Sequence, residues 1–431
     1  MNKERFDILG IPLFHIPMQF GTEEEWMEKY PKEILFKEFT SDENGEYTLP
    51  HKTGLHWIRK IGGFSNLYRR KLESDYLEYL TYEKAHNIYG KSIPYEIDSR
   101  LKYELHIIKV KGMSNYFLFV QDFVNSLTDL GSIVFSFWGK ESSSLVAYYL
   151  GITKVNPLEY DLLFEYYLNA DSDRLPLMHL LIDRESEKQE KEWLMNKYGG
   201  AYWENFICTY STTLSCVRRL IEEVKRKNKI EYKWDDIPLD SKNVLNTYKK
   251  GDYDGVWCFG DPKRLCWKFK PSSFADLIIL ASFQESGLWH YLDIFYERKM
   301  GSLQYRYEIP CMGKFLSETC GILLYEEQVI LLSRLLADFT RKESIELIEV
   351  LRHGRSKKQK MAEKFIQGGT RNGYDKNTLL KIWSDWCRYS KRIIRKTSIV
   401  SDVWLSYLFA FYKVYYPEEF ESVMAKRKAS S

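Results

Sequence analysis

The sequence predicts an α+β fold that consists mainly of helices. Only two short apolar runs, residues 133–137 and 177–182, have the length and composition of buried strands. Beyond residue 240, apolar residues recur at spacings of three and four in one segment after another, which is the period of an amphipathic helix. A helical region therefore follows a part of the chain that carries a small sheet.

Helices are predicted on both sides of the two strands. Before and between them lie residues 99–110 and 116–127, and a short helix near residue 150 that Ser142, Ser143 and Ser144 can cap. The later predicted helices are 185–198, 212–229, 273–283, 325–336, 344–351, 358–367, 377–390 and 401–415. Residues 1–75 contain Gly and Pro breaks and are predicted to be an irregular lead-in. We divide the rest into a domain over residues 76–228 and a helical domain over residues 229–431.

Composition favours a soluble globular protein. The 431 residues are 44% hydrophobic and 29% charged, and no apolar run is long enough to span a bilayer. The N-terminus has no signal-peptide pattern, so we expect a cytoplasmic protein with no membrane partner. Seven cysteines occur without a C-x-x-C pair, so we expect reduced thiols and no metal site built on them.

Positive charge is concentrated near the C-terminus. Residues 341–431 contain 20 Lys and Arg but only 10 Asp and Glu, whereas the whole chain has a net charge of +3. Such a surface suits a polyanion, although a solvated helical face has the same composition. Aromatic residues make up 16% of the chain, and they can serve as core or as a stacking surface for bases.

Five blocks of sequence occur in the order found in one polymerase family. They are IDSRLKYELHIIKVKGMSNYFLFVQDF from residue 97, LVAYYLGITKVNPLEYDLLFEYYLNADSDRLP from residue 145, DIPLDSKNVLNTYKKGDYDGVWCF from residue 236, GILLYEEQ from residue 321 and SYLFAFYKVYYPEEFESVM from residue 406. These blocks resemble the palm and fingers of bacterial C-family DNA polymerases, the alpha subunits of DNA polymerase III. The resemblance implies a partial nucleotidyltransferase-like palm sheet followed by a helical, fingers-like region.

The strand that would carry the catalytic acids differs from the family pattern. In the family, the run ending at Pro176 leads into P-D-x-D-x-D, where alternate aspartates share one strand face and hold two Mg²⁺ ions. Ungapped spacing on both sides places Leu177 and His179 at these aspartate positions. An apolar side chain and a single imidazole do not hold hard cations, so we expect no catalytic residue and no cofactor. The alternative is a shifted Mg²⁺ site at Asp183 and Glu185, which also fit the acidic start of a helix.

Other family motifs are altered as well. The triphosphate-binding loop V-G-P-G-R-G-S is replaced by VFSFWGK over residues 134–140, and R-P-G-P aligns with ESGL from residue 285. The motif G-K-K-K becomes GRSK from residue 354, and F-N-K-S-H becomes IRKTS from residue 394. KNKIEYKW stands where the family has its thumb and third catalytic aspartate. The phosphoesterase-like, sliding-clamp-binding and oligonucleotide-binding domains of the family have no counterpart in these blocks.

Basic residues within and near these motifs are candidates for contacts with nucleic acid. Some belong to a cluster interleaved with Trp383, Trp386 and Tyr389, rings that at helical spacing are more often core than stacking surface. The candidates are Lys140, Arg352, Arg355, Lys357, Lys360, Arg392, Arg395 and Lys396.

Together these patterns predict a catalytically inactive relative of the polymerase. We expect it to bind DNA, or another replication or repair protein, without a sliding-clamp-binding domain. The competing hypothesis is residual nucleotidyltransferase activity that uses Mg²⁺ at Asp183 and Glu185.

Overall fold

The chain divides into two compact units. The first comprises Met1–Glu159 and Tyr166–Arg218, and the second comprises Tyr160–Glu165 and Arg219–Ser431. The computed structural model describes residues 13–40, 58–136, 140–168, 176–198, 207–230, 237–256, 269–354 and 357–430. The division falls inside one helix, Thr212–Asn228, whereas the sequence suggested a boundary at the end of that helix.

The first unit combines helices with a small sheet. Its helices are α1 Glu23–Lys29, α2 Lys32–Thr40, α3 Phe64–Tyr89, α4 Tyr95–Val110, α5 Ser114–Asp129, α6 Leu145–Tyr149 and α7 Glu187–Tyr198, and α8 Thr212–Asn228 begins there. Helices α4 to α8 coincide closely with the predicted segments, because each buries an apolar face with a regular spacing.

Most of the described part of residues 1–75 is helical, which corrects the prediction of an irregular lead-in. Thr22 and Glu25 form a capping box that starts α1, with Thr22 Oγ1 accepting from the Glu25 amide at 3.3 Å. Trp26, Leu35 and Leu67 then pack into one buried cluster. The Gly and Pro residues separate short helices here and do not prevent helix formation, because caps and a shared core stabilise them.

Three strands form the sheet of the first unit. They are β1 Val134–Ser136, β2 His179–Asp183 and β3 Ile207–Ser211, in the order β1-β2-β3. Strand β2 is antiparallel to β1 and parallel to β3, with His179 opposite Ile207 and Asp183 opposite Ser211. The two predicted strands are confirmed, and β3 is an addition. The helix-dominated α+β fold is therefore confirmed.

Helices account for the regular structure of the second unit over its described residues. After the end of α8, they are α9 Lys242–Lys250, α10 Phe274–Ser286, α11 Leu292–Lys299, α12 Gly313–Leu316, α13 Glu326–Ala337, α14 Arg341–His353, α15 Lys358–Arg371, α16 Lys376–Tyr389, α17 Lys396–Tyr415 and α18 Pro417–Ser430. The interior of this unit includes α17, where Tyr407, Phe409 and Tyr412 are buried. Across the described part of the chain, every helix is too short or too polar to cross a membrane.

A glycine allows helix α15 to approach the end of α13. A Cβ atom at Gly368 would lie 2.4 Å from the carbonyl oxygen of Ala337, which is backbone and cannot rotate away. Gly369 is similarly close to the side chain of Leu379 on α16. The basic helix α15 is therefore held in place by close backbone packing on one side.

Candidate functional site

The two positions aligned with the missing aspartates lie at the start of β2. Leu177 precedes the strand and is 39% exposed. His179 opens the strand, and its Nε2 lies 2.8 Å from Thr209 Oγ1 on the neighbouring strand β3. Burial lowers the pKa of His179, which favours the neutral imidazole. The start of β2 thus presents an apolar side chain and a histidine with a local partner.

Asp183 ends β2 as a fully buried carboxylate. Its Oδ2 accepts from the Ile133 amide at 2.8 Å and from Ser186 Oγ at 2.7 Å. Its Oδ1 accepts from the Ser186 amide at 3.1 Å and from Arg218 at 3.2 Å. These donors tie β2 to the strand before it and cap the turn after it. A metal ion at Asp183 would have to displace several of them.

Glu185 lies in the following turn, Arg184–Ser186, with an exposed side chain. Asp183 is enclosed and Glu185 is at the surface, so the two carboxylates have different environments. Among the residues that the structure describes, no group of three or more His, Cys, Asp or Glu is arranged to hold a metal ion.

The segment that replaces the triphosphate loop lies partly outside the described residues, which include neither Phe137, Trp138 nor Gly139. After it, Lys140 is exposed and begins a short 3₁₀ turn. The next residue, Glu141, is buried, and its Oε1 accepts from Ser136 Oγ at 2.5 Å and from the His179 amide at 2.9 Å. Burial raises the pKa of Glu141. A carboxyl group that was not predicted from the sequence therefore occupies the interior beside β2.

Another buried carboxylate, Glu104 on α4, occupies the start of α6. It accepts from the amides of Leu145 at 3.0 Å and Val146 at 3.1 Å, and it pairs with Arg100 at 2.5 Å. Ser144 is the N-cap of α6, as the serine cluster predicted. Since these amides are already satisfied, an external phosphate could use them only by displacing Glu104.

Three of the basic candidates surround the start of α13. Glu326, which is buried, pairs with Arg352 at 2.5 Å and with Arg395 at 3.2 Å. Arg352 also donates to the carbonyl of Ile393 at 2.8 Å. Lys396 is buried and pairs with Glu318 at 2.6 Å. These three side chains hold helices of the second unit together, and phosphate contact would compete with that role.

The remaining candidates differ in their surroundings. Lys357 is exposed and pairs with Glu346 at 2.9 Å, a contact that solvent weakens. Lys360 and Arg392 are exposed, and no ion pair is seen between either side chain and another described residue. Arg355 lies outside the described residues. Lys360 and Arg392 therefore have the most accessible charges of the predicted set in the second unit.

The interleaved tryptophans belong to the core. Trp383 and Trp386 are buried, and the ring of Trp386 lies 4.7 Å from the ring of Phe365 on α15. Tyr389, at the end of α16, is only half-buried. The basic side chains of this segment therefore lie beside a packed interior, and these two indole rings are not free to stack on bases.

Comparisons with known proteins agree with this architecture. The bacterial DNA polymerase III alpha NTPase domain matches residues 75–244, and the alpha subunit finger domain matches residues 213–373. The chain is a relative of the bacterial DNA polymerase III alpha subunit. Both models describe parts of the same polymerase subunit, and they match consecutive segments in the order that the sequence blocks indicated.

Curated relatives named DNA polymerase III subunit alpha support the assignment. The protein of Aquifex aeolicus is 23% identical over 480 aligned residues, which cover 75% of this chain and 41% of the relative. The protein of Halalkalibacterium halodurans is 24% identical and covers 81% of this chain and 43% of the relative. The protein of Staphylococcus epidermidis is 21% identical, and the alignment covers 75% of this chain and 42% of the relative. The chain thus spans less than half the length of these curated relatives.

Two departures from the polymerase III alpha motifs meet in space. Glu326 stands where the motif G-I-I-L-Y-Q-E-Q has its first glutamine, and Arg395 stands where F-N-K-S-H has its asparagine. In the structure these two side chains pair with each other. Arg395 was a predicted candidate for contact with nucleic acid, whereas its partner Glu326 was not predicted. The consecutive acids Glu326 and Glu327 at the start of a predicted helix were the available signal.

Proposed function

We propose that this chain is a non-catalytic member of the polymerase III alpha family that acts by binding DNA. A replication or repair protein is the other partner that this family relationship suggests. The observation that carries the proposal is the acid-free start of β2. Leu177 is apolar, and His179 pairs with Thr209, so neither position supplies an oxygen ligand for Mg²⁺.

The surroundings of Asp183 also favour the absence of catalysis. Its carboxylate is buried and accepts hydrogen bonds from Ile133, Ser186 and Arg218. A catalytic carboxylate has to bind metal ions in a site that substrate can reach. The role of Asp183 in joining β1, β2 and the following turn accounts for its presence without catalysis.

Primer extension tests the loss of catalysis. The purified chain is incubated with a primed template, the four deoxynucleoside triphosphates and either Mg²⁺ or Mn²⁺, beside an Asp183→Ala, Glu185→Ala variant. We expect no extension by either protein. Extension by the unaltered chain that disappears in the variant would support the competing hypothesis of a relocated metal site.

Binding of DNA is assigned to the accessible cations of the second unit. Lys357, Lys360 and Arg392 are exposed, whereas Arg352 and Lys396 are engaged in the interior. The structure therefore indicates which side chains can be altered without disturbing the fold. Charge reversal of Arg352 or Lys396 would leave a buried acid without its partner, so loss of DNA binding in such a variant would be uninformative.

Charge reversal of the three exposed cations tests the assignment. The variant Lys357→Glu, Lys360→Glu, Arg392→Glu is compared with Lys60→Glu, Lys84→Glu, Lys91→Glu, a control with the same change in net charge at exposed residues of the first unit. We expect the first variant to lose at least tenfold in affinity for single-stranded DNA, and the control to lose much less. Equal losses would attribute binding to net charge alone. Unchanged binding in both would exclude this surface.

A further inference from the structure

The second unit contains a cavity that the proposed DNA contacts do not use. It has a volume of about 250 Å³ and lies between α11, α16 and the segment before α12. Much of its wall is aliphatic, with Leu288 and Ile294 on one side and Leu332 and Ile382 on another. Trp386 adds a buried aromatic surface. A space of this size suits one planar ring system better than a larger ligand.

Tyrosines supply the polar edge of the cavity. Tyr291 and Tyr389 line it and share a hydrogen bond between their hydroxyl groups. Tyr305 and Tyr307 also line it, and their hydroxyl oxygens are 3.2 Å apart. Tyrosine rings present flat apolar faces together with hydrogen-bonding tips, so this lining can both stack on a ring and bond to polar atoms at its edge.

An arginine at the boundary of the cavity is held in a fixed position. The guanidinium carbon of Arg298 lies 4.9 Å from the centre of the Tyr305 ring, and Nη1 donates to the Cys320 carbonyl at 2.9 Å. The Nε atom of Arg298 is buried and has no hydrogen-bond partner among the described residues. A buried donor without a partner is costly, and a ligand that accepted from it would remove that cost.

A second arginine extends the positive charge. Arg298, Tyr305 and Arg306 also line an adjoining open depression of about 500 Å³. Arg306 is exposed, and no ion pair joins it to another described residue. The acids at the cavity are offset, since Glu308 pairs with Lys381 at 2.6 Å and Asp385 lies 3.8 Å from Arg388. The excess charge beside the cavity is therefore that of the two arginines.

We propose that this cavity binds a planar aromatic ring that carries an anionic group, either a phosphate or a carboxylate. The ring lies in the cavity between the tyrosines and the aliphatic wall, and the anion lies in the adjoining depression against Arg298 and Arg306. Arginine forms paired hydrogen bonds with both kinds of anion, so the shared chemistry covers a mononucleotide and an aromatic acid. This site is independent of the proposed DNA contacts, and either proposal can fail alone.

Calorimetric titration with four small probes tests the ligand class. Adenosine 5′-monophosphate has a ring and a phosphate, and indole-3-acetate has a ring and a carboxylate. Adenosine supplies a ring alone, and ribose 5-phosphate supplies an anion alone. We expect at least one of the first two to bind saturably and about tenfold more tightly than the last two. Binding of only one identifies the source as nucleotide or aromatic acid. No saturable binding up to roughly millimolar concentration overturns the proposal.

Two variants test the location. Ile294→Trp fills the cavity, Arg306→Ala removes the exposed charge, and Lys376→Ala is a control at an exposed lysine outside the cavity lining. We expect roughly tenfold weaker binding in both variants and unchanged binding in the control, since a hydrogen bond to a charged group contributes on this scale. If Ile294→Trp does not fold, Arg306→Ala alone decides. Binding that Arg306→Ala leaves unchanged contradicts the assigned anion site.

Discussion

Glu327 is a carboxyl group whose two oxygens have different surroundings. Its Oε1 accepts from the Lys396 amide at 3.1 Å, whereas its Oε2 is buried and has no hydrogen-bond partner among the described residues. Burial, together with the neighbouring charge of Glu326, raises the pKa of Glu327 to about 8. Folding therefore favours the protonated form of Glu327 at neutral pH.

The substitution Glu327→Gln should weaken the pH dependence of stability. A group whose pKa is raised on folding contributes its full stabilisation of the folded state below its unfolded pKa of 4.5. That stabilisation is lost as pH rises through the folded pKa of about 8. One proton corresponds to a slope of at most about 1.4 kcal/mol per pH unit. In denaturant unfolding between these pH values, the free energy of unfolding should decline less steeply with pH for the variant than for the unaltered chain.

The exposed Glu285 provides a matched control for this measurement. The variant Glu285→Gln removes one carboxylate in the same unit, and it should leave the slope of stability against pH unchanged. A Glu327→Gln protein with the slope of the unaltered chain would show that Glu327 titrates in the ordinary acidic range.

At the scale of secondary structure, one carboxylate links three elements. Glu326 lies at the start of α13, and it binds Arg352 from α14 and Arg395 directly before α17. Since the carboxylate is buried, loss of its partners would leave a charge without compensation. The two residues that differ from the family motifs, Glu326 and Arg395, therefore contribute together to the packing between helices.

A double-mutant cycle should reveal this coupling. Glu326→Gln leaves two arginines without their acid, whereas Arg395→Asn leaves Glu326 still paired with Arg352. The double variant restores the uncharged pair of the family motifs, so it should lose less stability than the sum of the single changes. We expect an interaction energy of about 0.5–3 kcal/mol from unfolding titrations. Additive losses of stability would argue against the coupling. The exposed Glu308–Lys381 ion pair serves as a control, for which we expect only a small interaction energy.

In the second unit α10 and α13 to α17 were predicted from the sequence because their apolar spacing is regular over long segments, whereas α9, α11, α12 and α18 were not predicted. Helices α13, α15 and α16 begin within one residue of the predicted starts, because local periodicity determines them. Strand β3 was missed although Ile207, Thr209 and Tyr210 are β-formers, since Thr209 and Ser211 make it less apolar than the two runs that were predicted as buried strands. Helices α1 and α2 are short and depend on caps and on a shared core, which a search for periodicity does not detect.

At the candidate site, the local secondary structure could be predicted from the sequence, whereas ion pairs between residues far apart in the sequence could not. Strand β2 was predicted from its sequence to within two residues at its start, since it begins at His179 and the predicted strand began at Leu177. By contrast, Arg395 pairs with an acid 69 residues away in sequence, and Lys396 pairs with Glu318 from an equally distant segment. Both were predicted to contact nucleic acid, because a run of basic residues does not disclose which charges face inward. That assignment stays a prediction for all eight candidates, of which Lys140, Lys357, Lys360 and Arg392 have exposed side chains.

At the scale of the whole molecule, charge is unevenly distributed along the chain. Residues 341–431 carry 20 basic and 10 acidic residues, whereas the complete chain has a net charge of only +3. A protein of this kind gains long-range attraction to a polyanion from one segment while its total charge stays low. Salt is therefore the variable that should affect binding of DNA most.

Affinity for single-stranded DNA should fall linearly on a plot of log K against log salt concentration. Each phosphate that the protein neutralises contributes a slope of roughly −0.7 for single strands, so loss of one phosphate-contacting cation should make the slope shallower by about 0.7. Lys360→Ala and Arg392→Ala should each show this change in a fluorescence anisotropy titration, and Lys84→Ala should not. Binding that does not depend on salt would contradict the proposed contacts with DNA phosphates and would favour a protein partner.

The exposure of the residues at the start of β2 bears on protein engineering. Leu177 is 39% exposed, so a carboxylate at this position would remain hydrated and inexpensive to introduce, whereas His179 is partly buried, so a carboxylate there would be more costly. The strand itself is anchored by Leu180, Leu181 and Ile182, which are buried and need not change. Leu177→Asp is therefore the less costly first step in returning carboxylates to the start of β2, and His179→Asp is the second.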